Sequence, residues 1–159
     1  MRFDSFELIN TYFPSGSSGD ERQGYKMVFL DEYLNFLNSK FQVPDIKLVV
    51  AGDYNICHKE IDIHDPRGNK NSSGFLPEER AWMDRFFENG MVDSFRHVNE
   101  DPHQYTWWSY RFKAREKNIG WRIDYQCVND AFVPKVDSSI ILADKTGSDH
   151  CPIRICAEF

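Results

Sequence analysis

Ile46-Lys-Leu-Val-Val-Ala51 runs directly into Gly52-Asp-Tyr-Asn55, and how this stretch is read decides the fold class. Apart from Lys47, the first six residues are apolar without alternation, the pattern of a strand covered on both faces. Such strands belong to layered α/β domains, where helices or a second sheet lie against them. If the strand continues through Gly52, Asp53 and Asn55 stand two apart and point to the same side. A carboxylate beside a carboxamide at the end of a rigid strand suits a site that orients a water and holds an oxyanion or a metal. The same residues equally suit an Asx-type turn that closes the strand, and both readings stand.

Working outward, Gln23 to about Lys40 predicts a helix, because Met27, Leu30, Tyr33 or Leu34, and Leu37 recur at spacings of three and four. Phe6 to Tyr12 alternates as a strand and stops at the breaker-rich Phe13-Pro-Ser-Gly-Ser-Ser-Gly19. After a long loop from Asp53 to about Leu76, Pro77-Glu78-Glu79 opens a second helix that ends at Gly90: proline suits the first turn and early acids suit its positive end. Short strands are expected around Tyr105–Trp108, Ile123–Val128, Ser138–Leu142 and Ile153–Glu158. Helices and strands interleave, which predicts an α/β layered domain.

Composition narrows the function classes. The chain has 159 residues, within the range of one domain, and its 13 Phe, 7 Tyr and 4 Trp exclude a disordered chain without a core. No apolar run approaches the roughly 20 residues that a spanning helix needs, and no apolar signal core follows Met1. Cys57, Cys127, Cys151 and Cys156 form no C-x-x-C pair, so free and mostly buried thiols are expected, as in a cytoplasmic protein that is not secreted. The net charge of −6 argues against a general nucleic-acid binder, yet Arg111, Lys113, Arg115, Lys117 and Arg122 face only Glu116 between Tyr110 and Arg122. That stretch reads either as a solvated face or as a set of phosphate contacts.

Three further polar clusters fall at strand ends. Asp124 lies in the otherwise apolar Arg122-Ile-Asp-Tyr-Gln-Cys-Val128, where an unpaired acid is costly. A salt bridge to Arg122 would satisfy it, and so would an imidazole that it orients and keeps protonated, offered by Ser148-Asp-His-Cys-Pro152. Tyr12-Phe-Pro14 places a phenol at the end of the first strand.

The order and wording of Tyr12-Phe-Pro14, Gly52-Asp-Tyr-Asn55, Trp107-Trp-Ser-Tyr110, Asn118-Ile-Gly-Trp-Arg-Ile-Asp-Tyr125 and Ser148-Asp-His-Cys-Pro152 resemble the exodeoxyribonuclease III family of apurinic/apyrimidinic endonucleases. The loops His58-Lys-Glu-Ile-Asp-Ile-His-Asp-Pro-Arg-Gly-Asn69 and Gly74-Phe-Leu-Pro-Glu-Glu-Arg80 are similar to it as well. The resemblance implies that Asp53 orients or deprotonates the attacking water and that Asn55 helps hold that water and the phosphate. It implies that His150 acts on a phosphate oxygen, oriented by Asp124, and that Tyr12 contacts the phosphate. Mg²⁺, or Mn²⁺, is implied near Asp149, Asp53 and Asn55; carboxylates and water suit these ions, and no cluster has the soft ligand set of a zinc site. Asn69 is implied as a backbone contact, Trp107 and Trp121 as the walls of a pocket for an extrahelical abasic sugar, and Arg111 and Arg122 as contacts to double-stranded DNA with abasic or 3′-blocked sites.

In that family a preceding strand–loop–helix portion supplies a Gln-Glu motif whose glutamate is the principal metal ligand, and nothing before Phe6 matches it. Ser15 and Ser72 also stand where the family commonly has Asn. The expectation is therefore a single domain read as the C-terminal part of a four-layer α/β sandwich, two facing mixed sheets flanked by helices. Exposed apolar strand surface would then invite self-association or require the missing segment. Two other functions stay open: a catalytically silent fragment, and a phosphatase of the wider superfamily acting on lipid or inositol phosphates, which leaves the Trp107–Trp121 stretch unexplained.

Overall fold

Leu48, Val49 and Val50 are all buried, as an unalternating apolar run requires, because they lie in a central strand with a neighbour on each edge and a layer on each face. A computed structural model describes residues 1–158. Its elements are β1 (Glu7–Asn10), α1 (Asp20–Lys40), β2 (Leu48–Asp53), α2 (Pro77–Glu88), β3 (Met91–Asp93), α3 (Ser94–Val98), β4 (Asp124–Asn129), β5 (Val136–Ile141) and β6 (Ile153–Ala157). Short 3₁₀ turns lie at Glu60–Asp62, Arg111–Lys113 and Val133–Lys135.

Among the described residues one sheet has the order β1-β2-β4-β3, with β1 parallel to β2 and the other pairs antiparallel. β5 and β6 form a second, antiparallel sheet. On one face Leu48 and Val50 pack under α1 and α2, against Leu30, Leu37, Trp82 and Phe86. On the other, Val49 and Val128 meet Phe132 and the Ile155 and Ala157 side of β6. This is the mixed α/β architecture expected, helices on one face of a sheet and a second sheet opposite.

Several boundaries differ for identifiable reasons. α1 begins at Asp20, three residues before Gln23, because Gly19 at φ +106° ends the loop and Asp20 and Glu21 suit the first turn. β2 continues to Asp53, through a Gly52 that no other residue could replace: a Cβ there would stand 1.9 Å from the Thr11 carbonyl oxygen. The expected strand at Tyr105–Trp108 is instead an irregular strap with isolated bridges, Trp107 to Trp121 and Trp107 to His150. β3 and α3 carry too short a pattern to read; their junction is fixed by Asp93, whose carboxylate accepts the N–H groups of Phe95 and Arg96. The four cysteines are free and three are buried. No described helix is long and apolar enough to cross a membrane.

Candidate active site

The antiparallel register of β2 and β4 sets Asp53 directly opposite Asp124. Past Asp53 the chain turns, with Tyr54 fully buried and stacked on Phe13 at 4.2 Å and with Asn55 at φ +51°, a backbone conformation uncommon outside glycine. The Asn55 N–H donates to Asp53 Oδ1 at 2.8 Å, and its amide Nδ2 donates to the Phe13 carbonyl at 2.9 Å and to Asp53 Oδ2 at 3.2 Å. The Asx turn and the shared site are thus one structure: the turn brings the amide back onto the carboxylate.

Asp124 takes its partner from the far end of the chain. His150 Nδ1 lies 2.9 Å from Asp124 Oδ2, which leaves Nε2 as the other ring nitrogen. That hydrogen bond raises the His150 pKa above its ordinary value, overcoming the opposing effect of burial. Burial, and then the nearby Asp124 charge, push Asp53 up to about 6. One ligand atom each from Asp53, Asp124 and His150 lies within 4.8 Å of the others. Asp53, costly to ionise and facing the Asp124 carboxylate, fits a bound cation, which would relieve that repulsion, and the oxygen-rich donor set suits a hard ion.

Asp53, Asn55 and His150 open into a cleft of about 330 Å³ lined also by Tyr12, Trp107 and Trp121. The indoles stand nearly perpendicular, with centroids 6.2 Å apart and an interplanar angle of 87°. The Trp107 Nε1–H donates to Asp149 Oδ2 at 3.0 Å. Residues 5–150 match the endonuclease/exonuclease/phosphatase family.

The chain belongs to that family. It is 40% identical over 156 residues to the exodeoxyribonuclease of Bacillus subtilis (strain 168), covering 98% of this chain and 61% of that protein. It is 39% identical over 155 residues to the DNA repair nuclease APEX1 of Danio rerio, covering 96% of this chain and 49% of that one. The structure of an AP endonuclease from Archaeoglobus fulgidus matches with a TM-score of 0.90 at 27% identity, over 98% of this chain and 63% of that one. The resemblance to the exodeoxyribonuclease III branch holds. The chain spans about half to three-fifths of the length of these relatives.

Within this family member, Tyr12, Asp53, Asn55, Trp107, Trp121 and His150 line one cleft, and Asp124 stands behind His150. Asp149 lies beside the group rather than in it, engaged by Trp107. Asn69 is turned onto its own loop, with Nδ2 donating to the carbonyls of His64 and Asp65. Arg111 is exposed. Arg122 must be reassigned: it is 1% exposed, with Nε and Nη2 on the Asp62 carboxylate at 2.7 and 3.0 Å and Nη2 on Asp93 at 2.6 Å, so it is no DNA contact. Nor does it pair with Asp124, whose partner is His150. Arg115 is also engaged, its guanidinium capping the carbonyls of Ala143, Lys145 and Ser148 and stacking on Trp108.

Ser15, noted above as a departure from the family's Asn, lines the cleft too, and Ser17, Ser73, Gly74 and Ile123, to which the sequence assigned no role, complete it. Under its floor lies a fully buried ion pair, Lys26 to Glu79. Lys26 Nζ also donates to the Asn55 carbonyl at 2.9 Å, and Glu79 accepts the N–H groups of Gly74 and Leu76. A signal existed for it: Lys26 shares the apolar stripe of α1 with Leu30, Tyr33 and Leu37.

Proposed function

We propose that this chain carries the hydrolytic groups of a divalent-metal-dependent DNA-repair nuclease that cuts phosphodiesters at abasic sites in double-stranded DNA and at 3′ ends. The observation that carries the reading is a water-activating group, Asp53 with Asn55 and His150 with Asp124, at one cleft with two indole walls. A phosphodiester repels hydroxide, so hydrolysis needs a fixed water and compensation for the charge that develops on the phosphate. The Asp53 carboxylate, aligned by Asn55, is the group placed to accept a proton from the attacking water. Asn55 orients that carboxylate and offers a polar amide to the same cleft. His150, oriented by Asp124 and with its pKa raised by that hydrogen bond, offers Nε2 to a phosphate oxygen, and the Tyr12 phenol, 66% exposed, offers a hydrogen bond at the rim. Mg²⁺ or Mn²⁺ at the facing Asp53 and Asp124 carboxylates, with Asn55 beside them, would neutralise developing charge on the phosphate. Trp107 and Trp121 present flat apolar walls that suit a sugar without its base.

The test is cleavage of a duplex with one tetrahydrofuran abasic analogue in Mg²⁺. Asp53→Asn and His150→Ala are each expected to lower the rate by roughly 10²- to 10⁴-fold with DNA affinity retained, and chelation to abolish cleavage. Cleavage at the wild-type rate in both variants would overturn the assignment.

A further inference from the structure

We infer that Thr106 is a positioning residue for the Asp124–His150 pair: its buried hydroxyl fastens the start of β4, and its backbone fastens the segment carrying His150 to the same strap. Thr106 is fully buried and lies in none of the helices or strands. Its Oγ1 accepts two N–H groups, from Ile123 and from Asp124, both at 3.1 Å. Its own N–H donates to the Trp121 carbonyl at 3.0 Å, and its carbonyl accepts the Cys151 N–H at 2.8 Å. These four contacts go to the two segments that carry the pair, and none goes to α1 or α2.

The chemistry requires a hydroxyl there. A hydroxyl oxygen has two lone pairs and can take both N–H groups at once. A methyl in its place leaves two buried donors without an acceptor, and the chain relieves that by moving. The end that moves is Asp124, at the first position of β4. The neighbouring strap residues tie the same segments, with paired Trp107 and Trp121 backbones at 2.9 Å and the Trp108 N–H on the Asp149 carbonyl at 2.9 Å. Thr106 thus fixes the carboxylate and the imidazole relative to each other without touching substrate. A misplacement of about 1 Å far from the reacting atoms lowers rates about 100-fold.

The catalytic consequence rests on the proposed nuclease function, whereas the geometric one does not, so the test reads both. In the metal-free chain, the His150 Nδ1–H proton should give a slowly exchanging low-field NMR signal that is lost in Thr106→Val and present in Thr106→Ser. On the abasic duplex with Mg²⁺, Thr106→Val should lower kcat about 10- to 100-fold with KM little changed, and Thr106→Ser should restore it. Should the valine variant not fold, the wild-type amides decide: those of Ile123 and Asp124 are expected to exchange slowly and together. A retained His150 signal in Thr106→Val, failure of the serine variant to restore it, or fast exchange of those two wild-type amides would each overturn the inference. An inactive wild-type chain that still shows the signal pattern would sink the nuclease reading and leave Thr106 as the holder of the pair.

Discussion

Asp53 is an acid that the fold makes costly to ionise, and that cost is measurable. Its folded pKa of about 6 lies above the ordinary 3.8, so the folded chain binds this proton more tightly than the unfolded one. The resulting stability is fully present below pH 3.8 and is lost as pH rises through about 6. At pH 7.5 without metal the charge therefore destabilises the fold by about 1–3 kcal/mol. Asp53→Asn removes the charge while keeping an acceptor for the Asn55 N–H. In urea denaturation with chelator, it is expected to be more stable than the wild type by that amount at pH 7.5 and equal to it at pH 3.5; equal stability at both would refute the burial argument. The same residue explains what could be read from the sequence. G-D-x-N places a carboxylate two residues from an amide, but the burial that raises this pKa, and the Asp124 charge that adds to it from 71 residues along the chain, arise only from tertiary packing and the β2–β4 register.

At the scale of elements, Arg122 joins three pieces that the sequence pattern resolved unequally. Its guanidinium binds Asp62, in the Glu60–Asp62 turn, and Asp93, at the β3–α3 junction, from a position just before β4. α1, α2, β2 and β4 were legible because each carries enough periodic apolar residues or end signals to outvote local ambiguity, as the Leu30, Tyr33 and Leu37 stripe does. β3, with three residues, and α3, with five, carry too few, and tertiary contacts define them: the pairing of β3 with β4 and the Asp93 cap with its ion pair. Charge counting likewise cannot separate Arg111 from Arg122, since the difference lies in two acids brought from elsewhere. Removing one partner of a buried pair strands the others, at about 3–5 kcal/mol. Arg122→Met is expected to lose about that much in denaturant titration, with Asp93 left unpaired, whereas Arg111→Met is expected to stay within about 0.5 kcal/mol of the wild type. Equal effects would mean that Arg122 is not the tie between these elements.

For the whole molecule, a net charge of −6 means that approach to a polyanion depends on where the cations stand rather than on their number. Of the five in the Tyr110–Arg122 stretch, Arg122 is buried on acids and Arg115 is turned onto carbonyls, leaving Arg111, Lys113 and Lys117 exposed. They share their turn with Tyr110 and Phe112, which are 77% and 86% exposed, and Phe112 and Lys113 complete it at positive φ. If duplex DNA is the substrate, as proposed, this turn offers its phosphates three exposed cations and not the five that the sequence counts. Each contact contributes about 0.9 to the slope of log K against log salt. Replacing Arg111, Lys113 and Lys117 together by Gln is therefore expected to flatten that slope by about 2.7 in a fluorescence-anisotropy titration, with the hydrolytic rate at saturating DNA unchanged. A slope unaltered by the triple replacement would place the duplex on another face. A slope that falls further when Arg115 is also replaced would show that DNA draws that guanidinium away from the loop before His150, coupling duplex binding to the imidazole's position.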